Sequence, residues 1–573
     1  MHNKKIALVG LLILFLSSFV INPQIKSIAS FSFVSSNRDS SPVFLADDDI
    51  ANITQDLTLN KYLSNQVISG LNYVPIMRNE IIPGDPATYN PISSGSMIFD
   101  MAGNIINYFD TDNKIAIPYN STTMVIEKSS SADFLTLFNL YTGVEEVLPI
   151  PGNALDIVYN PEFDTFLTLN TVISTETWDG LQIAYQYIYE YNITGHLLWE
   201  WNATEYLPFD SIKHTSLGFN ATYDGYADWM HANSMVWDID NNQILLLVRN
   251  HDTIYDISEN NGSILWSAGR LGDFTIKDAS GQVVDSIWWH PNSLEAIGDN
   301  NYTIFDNDAY NITNPDSLQL LDGYSRYLEF NINVGASTIQ EEWSFTAPNS
   351  SYYSPTSGYS ERLPDGNTIG IFGNRGDLAV LLNDTHPIFF TEVNSAGEIV
   401  WEIEMQNSTE FAYQSAMIQR FYETPLLFLE NDTYLLEMGE SPEFNIVTWD
   451  CMGYPIDTSA SLKILEGDEV VYESTFTYLA YHNPTGISLK LSGLAVGEYN
   501  FTILIENADG INSSAQIYIT MELNLPLVLG ILITSGVVII AISILFVRKF
   551  LQIKESKPED KGETPTVETE ETV

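Results

Sequence analysis

Cysteine and basic residues are scarce in this sequence of 573 residues. Its one cysteine is Cys451, so no disulfide can form within the chain. Lysine and arginine number 23 against 74 aspartates and glutamates, which gives a formal net charge of -51. Nucleic-acid binding needs clustered basic residues, so the composition argues against a nucleic-acid partner. The acidic residues are spread along the chain and predict a solvated surface.

Long uncharged apolar runs are also few, and they lie near the two ends of the chain. Lys4 and Lys5 precede an apolar stretch with small residues after it, which predicts a signal peptide at 1–29. An uncleaved N-terminal anchor is the alternative reading. A second run, 525–547, is long enough to cross a bilayer, and the basic pair after it places the C-terminus in the cytoplasm.

We therefore expect a single-pass protein of the cell membrane with its N-terminal bulk extracellular. The segment 548–573 is charged and rich in Glu, Thr and Pro, which predicts a disordered cytoplasmic tail. Asn-X-Ser/Thr sequons occur between Asn52 and Asn512 and are absent from the tail. This distribution fits an N-glycosylated outside region.

The outside region predicts an all-β fold. After an N-terminal segment at 30–69, residues 70–424 read as short strands with polar turns. A hairpin unit recurs there, with a glycine in the turn and a tryptophan in the strand that follows, as at Trp199, Trp266, Trp401 and, in a similar strand, Trp343. Repeated hairpins over this length predict a β-propeller. Two β-sandwiches end to end, or a propeller of the quinone-cofactor type, are the alternatives.

Residues 425–523 have a different pattern. Apolar and polar residues alternate there between closely spaced turns, which predicts an Ig-like β-sandwich of about 100 residues. We interpret this unit as a spacer that holds the propeller away from the membrane.

Two short segments are the strongest candidates for chemistry. His231 and His290 each lie two residues before an asparagine, Asn233 or Asn292, and each segment leads into a predicted strand. The same setting in two places indicates equivalent positions in two repeats that face one site. Imidazoles serve there as acid, base or nucleophile, although a lone histidine at a strand end is often structural. We interpret His214, His251 and His482 as structural, because no pattern supports them.

An ordered set of motifs resembles the arylsulfotransferase family over roughly residues 70–422. The set runs in order through the segments 228–234, 244–249, 290–292, 304–307, 324–326, 362–368 and 413–416. The members in question are the secreted enzymes that need no cofactor. The resemblance implies a six-bladed propeller that moves a sulfuryl group from a phenolic sulfate to a phenol through a sulfated histidine.

The resemblance also implies roles for particular residues. His231, His290 and Arg326 would be catalytic, and Asn292 and Asn233 would bind substrate, with no cofactor and no metal. An arginine fork and amide donors suit the negative charge on the sulfuryl oxygens. The Asp306–Asp308 segment contains Ca²⁺-type oxygen ligands, but a turn between strands is the preferred interpretation.

One departure from the family pattern leaves two functions open. The family's nucleophilic histidine precedes the Leu-Pro-X-Gly-Asn turn, yet residues 350–361 contain no histidine, and His386 lies too far beyond the turn. The family's upstream His-Asp-Ile motif is replaced at 154–157. Either another residue is the nucleophile, with His290 the first candidate, or turnover is lost. The chain is then either a cell-surface arylsulfotransferase or a non-catalytic propeller that binds an anionic ligand or a partner protein. The oligomeric state stays open.

Overall fold

The structure is a computed structural model. It describes residues 56–81, 89–109, 113–128, 134–152, 154–211, 222–223, 225–309, 323–373, 387–407, 411–454, 456–523, 526, 529, 531, 533–535 and 537–545. The predicted signal peptide, the start of the N-terminal segment, the tail, His214 and His386 lie outside the described residues. Parts of the predicted membrane segment are described, and those residues are helical. Within the described part of the chain, no helix is both long and apolar enough to cross a membrane.

The described residues contain 38 β-strands, which confirms the predicted all-β class. The first twelve are β1 (Leu57–Tyr62), β2 (Leu71–Ile81), β3 (Tyr89–Phe99), β4 (Ile105–Phe109), β5 (Asn113–Asn120), β6 (Thr123–Lys128), β7 (Phe134–Asn139), β8 (Glu145–Pro151), β9 (Ala154–Asn160), β10 (Thr165–Trp178), β11 (Leu181–Asn192) and β12 (Leu197–Asn202). The next eight are β13 (Thr222–Tyr223), β14 (Tyr226–Asp228), β15 (Ala232–Asp238), β16 (Gln243–Val248), β17 (Thr253–Ser258), β18 (Ile264–Gly269), β19 (Thr275–Lys277) and β20 (Val283–Val284).

The remaining strands, β21 to β38, follow in order along the rest of the described chain. Eight more are β21 (Asn292–Gly298), β22 (Asn301–Asp306), β23 (Arg326–Asn333), β24 (Thr338–Thr346), β25 (Tyr359–Arg362), β26 (Thr368–Phe372), β27 (Ile388–Val393) and β28 (Ile399–Met405). The last ten are β29 (Phe411–Gln414), β30 (Gln419–Phe421), β31 (Leu426–Leu429), β32 (Thr433–Glu437), β33 (Glu443–Trp449), β34 (Thr458–Glu466), β35 (Glu469–Tyr478), β36 (Thr485–Lys490), β37 (Gly497–Asn507) and β38 (Asn512–Glu522). A short helix, α1 (Ala203–Tyr206), follows β12.

Among the described residues up to β30, six mainly antiparallel sheets follow one another along the chain, with parallel pairs only between β11 and β14 and between β19 and β24. The second to sixth sheets are built on β5–β8, β9–β12, β15–β18, β21–β24 and β25–β28. The first sheet contains β2–β4, and its inner edge comes from β29 and β30 at the far end of this region. Strand β1 joins the outer edge of the sixth sheet. Strands from both ends of the region therefore complete sheets at its opposite end.

Hydrophobic clusters join each sheet to the next and close the six sheets into a ring. Val158 and Trp237 belong to the cluster between the third and fourth sheets, and corresponding clusters lie at the other junctions. The last junction connects Ile76 of the first sheet with Trp401 and Ile403 of the sixth. Burial of apolar side chains stabilises a fold by about 1.5–3 kcal/mol for each large residue. Packing between neighbouring sheets is therefore what holds the ring together.

The C-terminal part, residues 426–522, forms two further sheets around its own core. One contains β31, β33 and β36, and the other contains β32, β34, β35, β37 and β38. Buried side chains from both sheets, such as Ile446 and Ile503, belong to one cluster. This unit contacts the ring where β5 ends: Ser121 Oγ donates to Asp509 at 2.7 Å and accepts from Asn507 Nδ2 at 2.8 Å.

The four tryptophans of the predicted repeat stand in equivalent places. Each lies on the fourth strand of its sheet, opposite an acidic residue on the third, in the pairs Trp199–Glu190, Trp266–Asp256, Trp343–Glu329 and Trp401–Glu392. Glu329 and Glu392 form ion pairs with an arginine of the following sheet, Arg362 and Arg420. Within the described residues, neither carboxylate oxygen of Asp256 has a hydrogen-bond partner.

This unpaired acid predicts an unusual pH dependence of stability. Burial and then the charge of Asp238 raise the pKa of Asp256 to about 7, against about 3.9 in an unfolded chain. The folded state therefore holds this proton more tightly, and its stabilising contribution is lost as pH rises from about 4 to about 7. We expect Asp256→Asn to raise the unfolding temperature by a few degrees at about pH 8 and by clearly less at about pH 5. The exposed control Asp299→Asn should leave the unfolding temperature unchanged at both pH values. An Asp256→Asn variant that differs from the unsubstituted chain by the same amount at both pH values would contradict this prediction.

Candidate functional site

His231 and His290 occupy equivalent positions at the starts of β15 and β21, the inner strands of the fourth and fifth sheets. Both residues have left-handed backbones, with φ of 49° and 52°. A non-glycine residue rarely adopts this conformation, and its occurrence at both positions means that the surrounding structure imposes it. The predicted equivalence of the two segments is thus present in the backbone itself.

An aspartate orients the His231 ring. His231 Nδ1 lies 2.6 Å from Asp228 Oδ2, and 29% of the histidine side chain is exposed. Burial acts to raise the pKa of Asp228, but the charge of His231 and its hydrogen bond outweigh that effect, so this pKa is lowered. An ionised Asp228 accepts the Nδ1 hydrogen and favours the tautomer whose Nε2 carries a lone pair.

His290 is enclosed, with no accessible side-chain surface. Its Nδ1 lies 2.8 Å from the carbonyl oxygen of Ala309, and its backbone N–H donates to Asp252 Oδ1 at 2.6 Å. A carbonyl only accepts, so Nδ1 carries the hydrogen. Burial first, and then the charge of Arg249, lower the pKa of His290 well below its ordinary value. The ring is therefore neutral.

Two arginines that the sequence interpretation did not assign lie close to these histidines. Arg270 Nε donates to Asp252 Oδ2 at 2.7 Å, and its guanidinium lies 5.0 Å from the centre of the Trp289 ring. Arg249 is buried and donates from Nη2 to the carbonyl of Pro355 at 3.4 Å. The charges of both arginines act on the titration of His290. Arg249 and Arg270 therefore place two positive charges at this end of the ring, beside the carboxyl groups of Asp228 and Asp252.

Arg326, the predicted third catalytic residue, lies in an internal ion-pair network. Its Nε is 2.9 Å from Asp306 Oδ2 and its Nη1 is 3.4 Å from Glu341 Oε1. Asp306 in turn accepts from the backbone N–H of Trp289 at 2.7 Å. Arg326 thus supports the loop before His290 through Asp306. These contacts also fit the interpretation of the Asp306 segment as a turn between β22 and β23.

The segments around His231 and His290 are joined directly by hydrogen bonds. Asn233 Nδ2 donates to the Pro291 carbonyl at 3.0 Å. Ser234 Oγ accepts from the Leu294 N–H at 2.9 Å, and Ser293 Oγ accepts from the Ser360 N–H at 3.3 Å. The asparagine and serine side chains therefore tie consecutive inner strands together, a role that residue type alone does not reveal.

The stretch at 350–361 approaches the same end of the ring. Asn307 Nδ2 donates to the carbonyls of Ser354 and Ser357, both at 2.6 Å. Together with the Arg249–Pro355 contact, these bonds anchor the segment in which the family places a histidine. The segment is thus held beside Arg249 and Asn307, and it contains no histidine.

A cavity of about 210 Å³ lies along the inner strands. Asn233 and Asn292 line it, whereas His231 and His290 precede the strands that form its wall. Its other lining residues include three acids, Asp156, Glu295 and Glu361, and His482 of the C-terminal unit. The sequence interpretation treated His482 as structural and did not connect these acids, because they lie far apart in the chain.

Comparison with known proteins decides the family. The profile described as Arylsulfotransferase (ASST) matches residues 88–415, more than half of the chain. The chain belongs to the arylsulfotransferase family. This membership confirms the predicted resemblance and implies an arylsulfotransferase-like activity on phenolic substrates in general.

No curated protein matches this arylsulfotransferase-family chain. Similar solved structures include a putative 6-phosphogluconolactonase from Bacteroides fragilis, at 11% identity over 57% of this chain and 80% of that chain with a TM-score of 0.32. Another is Kuenenia stuttgartiensis hydrazine synthase, at 9% identity over 60% and 78% of the two chains with a TM-score of 0.28. Scores this low carry no argument about fold or function.

Proposed function

We propose that the chain is a cell-surface arylsulfotransferase that moves a sulfuryl group from a phenolic sulfate ester to a phenol. In this proposal the ring of six sheets is a six-bladed β-propeller over residues 70–424, followed by an Ig-like β-sandwich at 425–523. The observation that carries the proposal is the His231–Asp228 pair, on whose carboxylate the charge of Arg249 also acts. It combines a partly exposed imidazole with positive charge suited to a sulfuryl anion.

His231 is the better candidate than His290 for contact with the substrate. Its side chain retains accessible surface, whereas His290 has none. The Asp228 carboxylate holds the Nδ1 hydrogen and stabilises the positive charge that develops on the ring during attack. In this assignment His290 is a positioning residue, fixed between Asp252 and Ala309.

The reaction then proceeds in two balanced displacements. His231 Nε2 forms an N–S bond as the S–O bond to the donor phenolate breaks. The acceptor oxygen next forms its bond to sulfur as the N–S bond breaks, which restores the imidazole. The acceptor loses one proton and the departing phenolate gains one, so the net exchange requires no oxidant or cofactor. Arg249 and Arg270 supply the positive field that favours the sulfuryl oxygens.

A non-catalytic anion-binding propeller is the second candidate. It is favoured by the enclosure of His290 and by the lack of a histidine in residues 350–361. In that case the arginines and His231 bind an aryl sulfate or another anion without bond cleavage.

The outside location is part of the same proposal. The apolar run at 525–547 and the basic pair after it support a single-pass anchor, with the signal peptide at 1–29 directing the bulk outward. Phenolic substrates would then be those met outside the cell.

The test is sulfuryl transfer by the purified full-length chain. With p-nitrophenyl sulfate as donor, we expect nitrophenol release that accelerates on addition of phenol, together with phenyl sulfate as a product seen by mass spectrometry. Donor binding by calorimetry without nitrophenol release, at any phenol concentration, would overturn the enzyme proposal in favour of the binding module. A rate of nitrophenol release that does not depend on the phenol concentration would indicate hydrolysis of the donor. That result would also contradict transfer.

A further inference from the structure

Three carboxyl groups line one part of the cavity, called here its acidic half. Asp156, Glu295 and Glu361 belong to the inner strands β9, β21 and β25, so they approach the cavity from three sides. Arg362 also lines the cavity but is paired with Glu329. Three acids around one small space repel one another as anions, so this half of the cavity favours either bound protons or a bound cation.

A single hydroxyl connects two of these acids. Tyr359 Oη lies 2.9 Å from Glu295 Oε1 and 3.3 Å from Glu361 Oε2. A phenol has one hydrogen and donates to one carboxylate at a time, so a second hydrogen bond here would need a proton on the other acid. Burial raises the pKa of Glu295 to about 8 and that of Asp156 to about 7. These acids therefore bind protons near neutral pH, and a bound cation would instead stabilise their ionised form.

A buried imidazole without a hydrogen-bond partner closes this half of the cavity. Within the described residues, neither ring nitrogen of His482 has a partner, and only 1% of its side chain is exposed. Its Nε2 lies 3.6 Å from Glu361 Oε1, but burial lowers the pKa of His482 to about 4, so the ring is neutral. A buried polar group without a partner is unfavourable, so a ligand that donates a hydrogen bond at this place would be stabilised.

The backbone around His482 is held in a constrained form. Tyr481 and His482 are consecutive residues with left-handed φ values of 53° and 54°. A Cβ on Gly453 would come within 2.7 Å of the His482 ring, so glycine is needed for the ring to fit. The C-terminal unit is therefore built to present this imidazole to the cavity, which is more than a spacer requires.

We propose that the acidic half of the cavity binds the ammonium group of a phenolic amine, the acceptor of the sulfuryl group. This inference rests on the proposed transferase function. The phenol end would lie beside Asn292 and the ammonium beside Glu295 and Glu361, with His482 as an additional acceptor. Three residues of β-strand separate Asn292 from Glu295, about 10 Å. This span suits one aromatic ring with a short amine chain.

The test compares three phenols that differ in charge at the far end. Tyramine, p-cresol and 3-(4-hydroxyphenyl)propionate are titrated by calorimetry into the full-length chain without a sulfate donor. We expect tyramine to bind at least about tenfold more tightly than p-cresol, and the carboxylate to bind weakest. Glu295→Gln and Glu361→Gln should each remove most of the tyramine preference and leave p-cresol binding unchanged. The control Glu342→Gln removes the same charge from an exposed position on β24.

The outcomes separate this inference from the proposed function. Equal affinity for tyramine and p-cresol, or a tyramine preference that survives both glutamine substitutions, overturns the amine site. Transfer to p-cresol without any preference for tyramine leaves the transferase proposal intact and removes only the amine site. Carboxylate-dependent binding of tyramine without transfer supports the amine site and rejects the transferase. Glutamine resembles a protonated glutamate, so both variants should fold, and their unfolding temperatures check this.

Discussion

Replacing His231 with alanine is expected to lower the rate of sulfuryl transfer by about 10³-fold or more. The substitution removes the partly exposed imidazole and leaves Asp228 as a carboxylate without its partner. The measurement is phenol-dependent nitrophenol release by the full-length chain at saturating donor. The matched control is His196→Ala, because His196 is an exposed histidine in a turn of the third sheet. This control should keep full activity.

The covalent intermediate distinguishes His231 from His290. With a fast-leaving donor and no acceptor, we expect a sulfuryl adduct whose peptide contains His231. An adduct on the peptide with His290, or full activity in His231→Ala, would contradict the assignment. Asp228→Asn tests the orienting role separately: an amide can donate to Nδ1 and favours the wrong tautomer, so kcat should fall while donor binding remains.

The sequence predicted those features that depend on local chemistry. The glycine turn and the tryptophan after it predicted hairpins that the structure places at the third and fourth strands of three sheets, because hairpin turns and cross-strand packing are set by neighbours in the chain. The equivalence of His231 and His290 was visible for the same reason: both lie in the same short context before an inner strand. Their shared left-handed backbone is the structural counterpart of that repetition.

Features that arise from contacts between distant segments could not be predicted in this way. Arg249 and Arg270 meet His290 only because the fourth and fifth sheets pack together. Arg326 faces Asp306 because the two residues are opposite each other on the paired strands β22 and β23, a register that the sequence does not specify. A cluster of one arginine, one histidine and one aspartate at 249–252, directly after an apolar strand, was the available signal. The approach of His482 to the cavity depends on how the C-terminal unit docks on the ring, which no local pattern encodes.

Replacing Arg420 with methionine is expected to lower the free energy of unfolding by about 3–5 kcal/mol. Arg420 lies on β30 in the first sheet and pairs with Glu392 on β27 in the sixth, and both side chains have no exposed surface. Arg420 also donates from Nε to Asn72 Oδ1 at 3.0 Å and lies over the Trp401 ring at 4.8 Å. Methionine fills much of the space but leaves Glu392 as an isolated buried carboxylate, which accounts for most of the expected loss.

The equivalent pair one junction earlier supplies the control. Glu329 and Arg362 connect the fifth and sixth sheets but retain 16% and 21% exposure. Water compensates part of the loss there, so Arg362→Met should destabilise the chain less than Arg420→Met. Denaturant unfolding of the full-length chain measures both variants.

The double substitution Arg420→Met with Glu392→Gln identifies the cause of the destabilisation. If the cost arises from the uncompensated charge of Glu392, then neutralising that residue should recover a substantial part of the stability lost in Arg420→Met. If the double variant is as unstable as the sum of the two single variants, the arginine instead acts through its contacts with Asn72 and Trp401. The ring is closed by strands from opposite ends of the chain, and its closure would then depend on packing at this junction more than on charge.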